Sequence, residues 1–152
     1  MNIRWNIKKF DELSTTELYR IMQLRLEVFC VEQNCAYQDA DGKDLKSVHL
    51  SGFDSNGNLV VYSRIVPAGI SFKEVSIGRV ISSNIVRGTG AGKELMEQSI
   101  DFIKKEYGNV PIRIGAQCYL IKFYLGFGFE IAGEEYLEDN IPHIEMLYFP
   151  PL

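Results

Sequence analysis

The segment Arg87-Gly88-Thr89-Gly90-Ala91-Gly92-Lys93 concentrates backbone amides and positive charge in one turn. Glycine lets a chain approach a ligand closely and take left-handed angles. A turn of this kind opening a helix points unpaired N–H groups at an anion. The chemistry on offer is phosphate binding. Spacing argues against two common versions of it. A nucleotide P-loop needs G-x-x-x-x-G-K-[ST], but Arg87 stands where the first glycine should be and Glu94 replaces the magnesium-binding hydroxyl. A dinucleotide fingerprint needs G-x-G-x-x-G, and counting from Gly88 and Gly90 puts Lys93 where the third glycine belongs. A tight, solvated strand-to-helix turn without ligand is the plain alternative.

The elements around this turn must hold it. Residues 2–8 alternate Ile3, Trp5 and Ile7 with polar neighbours and predict a strand. Ser14-Thr15-Thr16-Glu17 matches a capping box, and Leu18, Ile21, Met22, Arg25, Val28 and Phe29 continue it as a helix over 14–30. Val31 to Lys46 reads as an ordered loop or short helical turns. Strands follow at 48–53 and 59–66, joined through Asn56-Gly57, a strong hairpin signal. Another strand spans 74–82 and leads into the glycine turn. Residues 91–107 repeat Leu95, Met96, Ser99, Ile100 and Ile103 at helical spacing, and Gly108-Asn109 stops them. A strand at 110–116, a short helix at 119–125 and a closing hairpin of 129–133 with 143–149 complete the chain. This order predicts an α/β (α+β) fold, a mixed and mostly antiparallel central sheet flanked by helices.

The chain has 152 residues, 46% hydrophobic and 24% charged, with a net charge of -4. That length suits one domain spanning 1–152. The acidic balance disfavours coating of nucleic acid or anionic membrane, which calls for basic excess. Cys30, Cys35 and Cys118 are too few for a disulfide framework and form no C-x-x-C pair, so they read as small buried hydrophobes in a reducing, cytoplasmic setting. No apolar run approaches the roughly 20 residues of a membrane span. No His/Cys cluster suggests a metal. The loop Asp39-Ala40-Asp41-Gly42-Lys43-Asp44 fails EF-hand spacing, because Tyr37 and Val48 fall on the first and twelfth positions.

What fits the glycine turn is R-x-x-G-x-G, carried by Arg87, Gly90 and Gly92 behind a strand. Here the sequence resembles the GNAT family of N-acetyltransferases. Val80-Ile81-Ser82 lies where that family's fourth strand meets the pantetheine arm. Ala116-Gln117 and Tyr124-Leu125-Gly126-Phe127-Gly128-Phe129 resemble the start and end of its last strand–helix unit. Arg25 to Asp39, Asp41 to Asp44 and Glu138 to Met146 are similar to the ElaA-like subgroup. Asn84 and Ser82 depart from the family pattern, which usually has a proline and an aliphatic residue there.

The resemblance implies a splay between strands 4 and 5 with acetyl-CoA in the opening. Val80, Ile81, Ser82, Arg87, Gly88, Thr89, Gly90, Ala91, Gly92, Lys93 and Gln117 would contact it. A free amide near Ser82 would face the thioester oxygen. Tyr124 would be the general acid, protonating the departing thiolate, although Tyr119, Phe123, Tyr124, Phe127 and Phe129 also read as an ordinary aromatic patch. Two candidates could take the proton of the acceptor amine, Glu32 ahead of His143. Glu32 is one, unless it is the ion-pair partner of Arg25 or Arg79; His143 is the other, unless it packs or orients substrate. The acidic residues 39–44 could attract a cationic acceptor or simply be solvated. Direct transfer needs no acyl-enzyme on Cys118. The expected partners are an amine, small or peptidic, and a second copy in a homodimer. A non-catalytic acyl-CoA sensor with the same loop is the alternative.

Overall fold

A computed structural model describes residues 2–151. In chain order it contains β1 (Arg4–Lys9), α1 (Thr15–Leu26), β2 (Val48–Phe53), β3 (Leu59–Val66), β4 (Ser76–Ser82) and α2 (Ala91–Tyr107). There follow β5 (Ile112–Gln117), α3 (Ile121–Leu125), β6 (Phe129–Ile131), β7 (Tyr136–Glu138) and β8 (Ile141–Tyr148). One antiparallel sheet runs β1-β2-β3-β4; a second runs β5-β8-β6, with β7 also on β8. A single parallel bridge, Val75 to Ile112, joins them at one end, where the Arg113 amide donates to the Val75 carbonyl over 3.0 Å. Beyond that bridge β4 and β5 share no ladder. The splay implied by the family resemblance is present.

Alternation along β3 explains how the helices attach. Val61, Ser63 and Ile65 face α2, whose Leu95, Met96 and Ile103 are almost wholly buried; burial of such a side chain contributes roughly 1.5–3 kcal/mol. Ser99 lies in the same stripe because its hydroxyl meets that of Ser63 at 2.8 Å. Tyr62 faces the other way and packs with Ile81 against Ile21 and Leu24 of α1 and against Val28 just beyond its end. The helices therefore cover opposite faces.

The capping box at α1 forms as expected, with Glu17 amide to Ser14 Oγ at 3.1 Å and Ser14 amide to Glu17 Oε1 at 2.8 Å. Two expectations need correction. The helix over 14–30 keeps α geometry only to Leu26, then widens into a π-helical turn, Glu27–Glu32. The closing hairpin of 129–133 with 143–149 is three strands, since β7 pairs with the first part of β8 and β6 with the last. Three residues are too few to display an alternation, which hid β7.

Candidate functional site

The gap between β4 and β5 is the mouth of a cleft of ≈ 1270 Å³. One wall is the free edge of β4. The pairing of Tyr62 with Ile81 and of Arg64 with Gly78 leaves Arg79 and Val80 together opposite Ser63, a β-bulge. Past the bulge, the Ser83 amide donates to the Val60 carbonyl at 2.7 Å. Alternation then turns the amide of Ser82, and that of Val80, outward into the cleft. The outward Ser82 carbonyl accepts Arg87 Nε at 3.2 Å and Nη2 at 3.0 Å.

The glycine turn closes one end. Gly88 and Gly90 have φ of +82° and +87°, and a β-carbon at either would meet open space. Gly90 caps α2, so the first amides of that helix, on Ala91, Gly92 and Lys93, have no intrahelical acceptor. A β-carbon on Gly92 would stand 3.3 Å from Ser82 Oγ. The turn is thus an open cradle of donors at a helix N-terminus, which fits phosphate. Thr89 departs from expectation. Its amide and hydroxyl both donate to the Val86 carbonyl, and it does not line the cleft. Arg87 lines the cleft but is engaged, its Nη2 lying 2.6 Å from Glu32 Oε1.

Tyr124 is buried between Phe123 and Phe129, at edge-on ring separations of 5.2 and 6.0 Å, and Phe123 in turn comes within 4.0 Å of where a β-carbon on Gly92 would stand. Burial pushes its phenol up from 10, so it holds its proton throughout the neutral range. Among the described residues its hydroxyl has no protein hydrogen-bond partner, and the side chain faces the cleft. His143, 6% exposed, stacks on Tyr136 at 5.8 Å. Its Nδ1 lies 2.7 Å from the Ile141 carbonyl. A carbonyl only accepts, so Nδ1 carries the hydrogen and Nε2 presents a lone pair in the neutral ring. Nε2 faces Glu138 Oε2 at 3.4 Å. Tyr136 reaches over β5 because position 115 is glycine; a β-carbon there would be 2.8 Å from its hydroxyl.

The acidic loop offers a cationic acceptor no unpaired carboxylate, which corrects one reading above: Asp41 is exposed and lines the cleft, but its oxygens are held by arginines. Asp39 and Asp44 are 3% and 7% exposed. Asp39 binds Arg25 and Arg79, Asp44 binds Arg25 and Arg64, and Asp41 binds Arg64 and Arg79. Burial alone would raise the Asp44 carboxyl, but hydrogen bonds from Arg25 and then Arg64 hold it below its ordinary value. Arg25 and Arg79 are thereby occupied, so the partner of Glu32 is Arg87. Tyr62 bonds His49 Nδ1 at 2.7 Å, and burial lowers that histidine's basicity.

Every expected site residue except Thr89 lines this one cleft. Gln117 does so with its amide paired to Gln33, at 3.3 Å, across the mouth. Sequence reasoning gave no site role to Arg79, Gln33, Tyr136 or Glu138. Only Glu138 carried a signal, lying five residues before His143 on the far side of an Asp-Asn turn. Among the described residues no cluster of three His, Cys, Asp or Glu could hold a metal, and no helix is long and apolar enough to cross a membrane.

Comparison with known proteins agrees with this geometry. Residues 22–148 match the family model described as acetyltransferase (GNAT) domain. Protein ElaA of Escherichia coli is 43% identical over 146 residues, 95% of each chain. Its crystal structure superposes with a TM-score of 0.90 at 42% identity, covering 97% of this chain and 99% of that one. An acyl-CoA N-acyltransferase from Pseudomonas aeruginosa gives 0.91 at 40% identity, with the same coverage of 97% and 99%. An aminoglycoside 6′-N-acetyltransferase complexed with coenzyme A shares the fold, with a TM-score of 0.69 at 16% identity over 95% of this chain and 96% of that one.

Proposed function

We propose, from the premise that this chain belongs to the acetyltransferase (GNAT) family and is an acyltransferase, that it moves the acetyl group of acetyl-CoA directly onto an amine. The observation that carries this is the single cleft that joins an open donor cradle, two outward strand amides, a buried phenol and a tautomer-fixed histidine. When bound, acetyl-CoA supplies the activated acyl thioester.

The chain's own groups have distinct tasks. The amides of Gly88, Gly90, Ala91, Gly92 and Lys93, with the Lys93 ammonium, hold the phosphates at the N-terminus of α2. Val80, Ile81 and Ser82 offer the strand edge, and an outward amide from Val80 or Ser82 polarises the carbonyl. Such a preorganised donor typically contributes about 3–4 kcal/mol to the transition state. Tyr124, kept protonated by burial, gives its proton to the leaving sulfur. His143 Nε2 takes the proton of the amine, and the carboxylate of Glu138 stabilises the imidazolium that results. Glu32, tied to Arg87, orients the loop at the mouth and is the second candidate for the base. The Cys118 thiol is pushed up by burial and by Glu135, which suits transfer without an acyl-enzyme.

The reading is tested by incubating the protein with acetyl-CoA and a panel of primary amines while following free thiol. Amine-dependent thiol release, with the acetylated amine seen by mass spectrometry, is the expected result. Coenzyme A binding with no transfer across the panel would instead mark a binding module.

A further inference from the structure

Arg79 holds a backbone conformation that does not suit it. Among the described residues only Asn34, Arg79, Asp139 and Asn140 have positive φ without being glycine. The other three are Asn or Asp, whose short side chains tolerate left-handed angles. Arg79, at φ +49°, lies inside β4 as the first residue of the bulge, a place normally given to glycine. Gly78 is next to it, yet Arg79 takes the turn.

Its side chain is pinned from outside the strand. Arg79 Nε donates to Asp39 Oδ1 at 2.9 Å and Nη2 to the Asp39 carbonyl at 3.1 Å. Asp39 is itself fixed, since Oδ2 accepts Arg25 Nε at 2.8 Å, its carbonyl accepts Arg25 Nη2 at 3.0 Å, and Oδ1 accepts the Tyr37 hydroxyl at 2.8 Å. Arg25 is 0% exposed, so this anchor is rooted in the core beneath α1.

The bulge matters because strand amides alternate. Removing the extra residue shifts the phase of everything beyond it by one, exchanging inward and outward amides. The amides of Val80 and Ser82 reach the cleft only while the bulge exists. We propose that the Asp39–Arg79 pair is a positioning device for acyl transfer: it holds Arg79 in the left-handed region and so keeps the β4 amides aimed into the cleft. The inference rests on the acyl-transfer reading for its catalytic consequence, but not for its structural one.

Two substitutions separate anchoring from any direct role of the guanidinium. Arg79→Ala removes the anchor and leaves a β-carbon that resists the left-handed angle. Arg79→Gly removes the same anchor and needs none, because glycine takes that angle freely. With acetyl-CoA and an accepted amine, R79A is expected to have a kcat about tenfold below that of R79G, the rate equivalent of the left-handed penalty. KM for acetyl-CoA should stay within about threefold in both, because the glycine cradle that sets it is untouched. In ¹⁵N-resolved spectra of the unliganded proteins, the Val80, Ile81 and Ser82 amides should stay near wild-type positions in R79G and move or double in R79A.

Equal kcat values and equal amide spectra for the two variants would overturn the proposal. If wild type transfers to no amine, the acyl-transfer reading fails, and the amide spectra alone still decide whether Asp39 and Arg79 hold the bulge. Asp39→Asn, which weakens the anchor while keeping side-chain volume, should resemble R79A in those spectra if it folds; wild-type amide positions in folded D39N would count against the pair.

Discussion

Replacing Tyr124 with phenylalanine removes one oxygen from a buried ring, and the proposed mechanism predicts different consequences for stability and turnover. The side chain is 6% exposed, and its hydroxyl has no protein hydrogen-bond partner among the described residues. No buried donor or acceptor loses a partner, and the ring contacts with Phe123 and Phe129 persist. An unpaired hydroxyl at a buried edge contributes little or is unfavourable. Stability should therefore change by less than about 0.5 kcal/mol, or rise slightly. In the proposed mechanism catalysis loses the proton donor for the leaving sulfur, an effect typically of about 10²–10⁴-fold. In free-energy terms that is about 3–5 kcal/mol of the activation barrier. The assay pairs thermal unfolding with thiol release under saturating acetyl-CoA, and calorimetry of coenzyme A binding should show affinity within about threefold of wild type. Full turnover by folded Y124F would refute the role given to Tyr124. A large loss of stability would refute the reading of its hydroxyl as unpartnered.

Other predictions concern the scaffold and the cradle. Arg25→Met removes a fully buried cation from Asp39 and Asp44, and urea denaturation should show a loss of about 3–5 kcal/mol; a change under about 1 kcal/mol would contradict a stabilising role for this buried charge pairing. Glu17 is held at about 2, against 4.5, by the Ser14 amide and, after a smaller opposing effect of burial, by Lys8. Its contribution is therefore complete above pH 4.5 and fades as pH falls toward 2. Glu17→Gln should flatten the pH dependence of unfolding in that window, and an unchanged slope would exclude the capping box as its source. Gly92→Ala should change stability by less than about 1 kcal/mol, the helix preference of alanine offsetting a tight contact with Ser82 Oγ, yet weaken coenzyme A binding in calorimetry, because the β-carbon enters the space beside Ser82. Cys118→Ser should retain turnover in the thiol-release assay; inactivity would reopen an acyl-enzyme.

The readable parts of this molecule are those set by local pattern. Helix α2 follows the spacing of Leu95, Met96, Ser99 and Ile103, and its ends at Gly90 and Gly108 are glycines with positive φ. The glycine turn was legible because its chemistry is carried by consecutive residues. The Asp39-to-Asp44 loop was not. Its carboxylates look solvated in sequence because their partners are remote in the chain, Arg25 on a helix 14 to 19 residues earlier and Arg64 and Arg79 on strands 20 to 40 residues later. The bulge at Arg79 was invisible for a related reason. Gly78 would have been the natural choice for a left-handed residue, and only the tertiary anchor on Asp39 explains why its neighbour takes that place. The link between Glu138 and His143 depends on β7, an element too short to leave a periodic trace.

The claim on which the rest depends is that the gap between β4 and β5, with the cradle before α2, receives acyl-CoA. Titration of ¹⁵N-labelled protein with coenzyme A tests it residue by residue. The amides of Val80, Ser82, Gly88, Gly90, Ala91, Gly92 and Lys93 should shift together and saturate, while those of Ile7 and Leu50, paired between β1 and β2 and not lining the cleft, stay in place. Saturable binding that leaves those seven amides unmoved, or no binding at millimolar coenzyme A, would contradict the account.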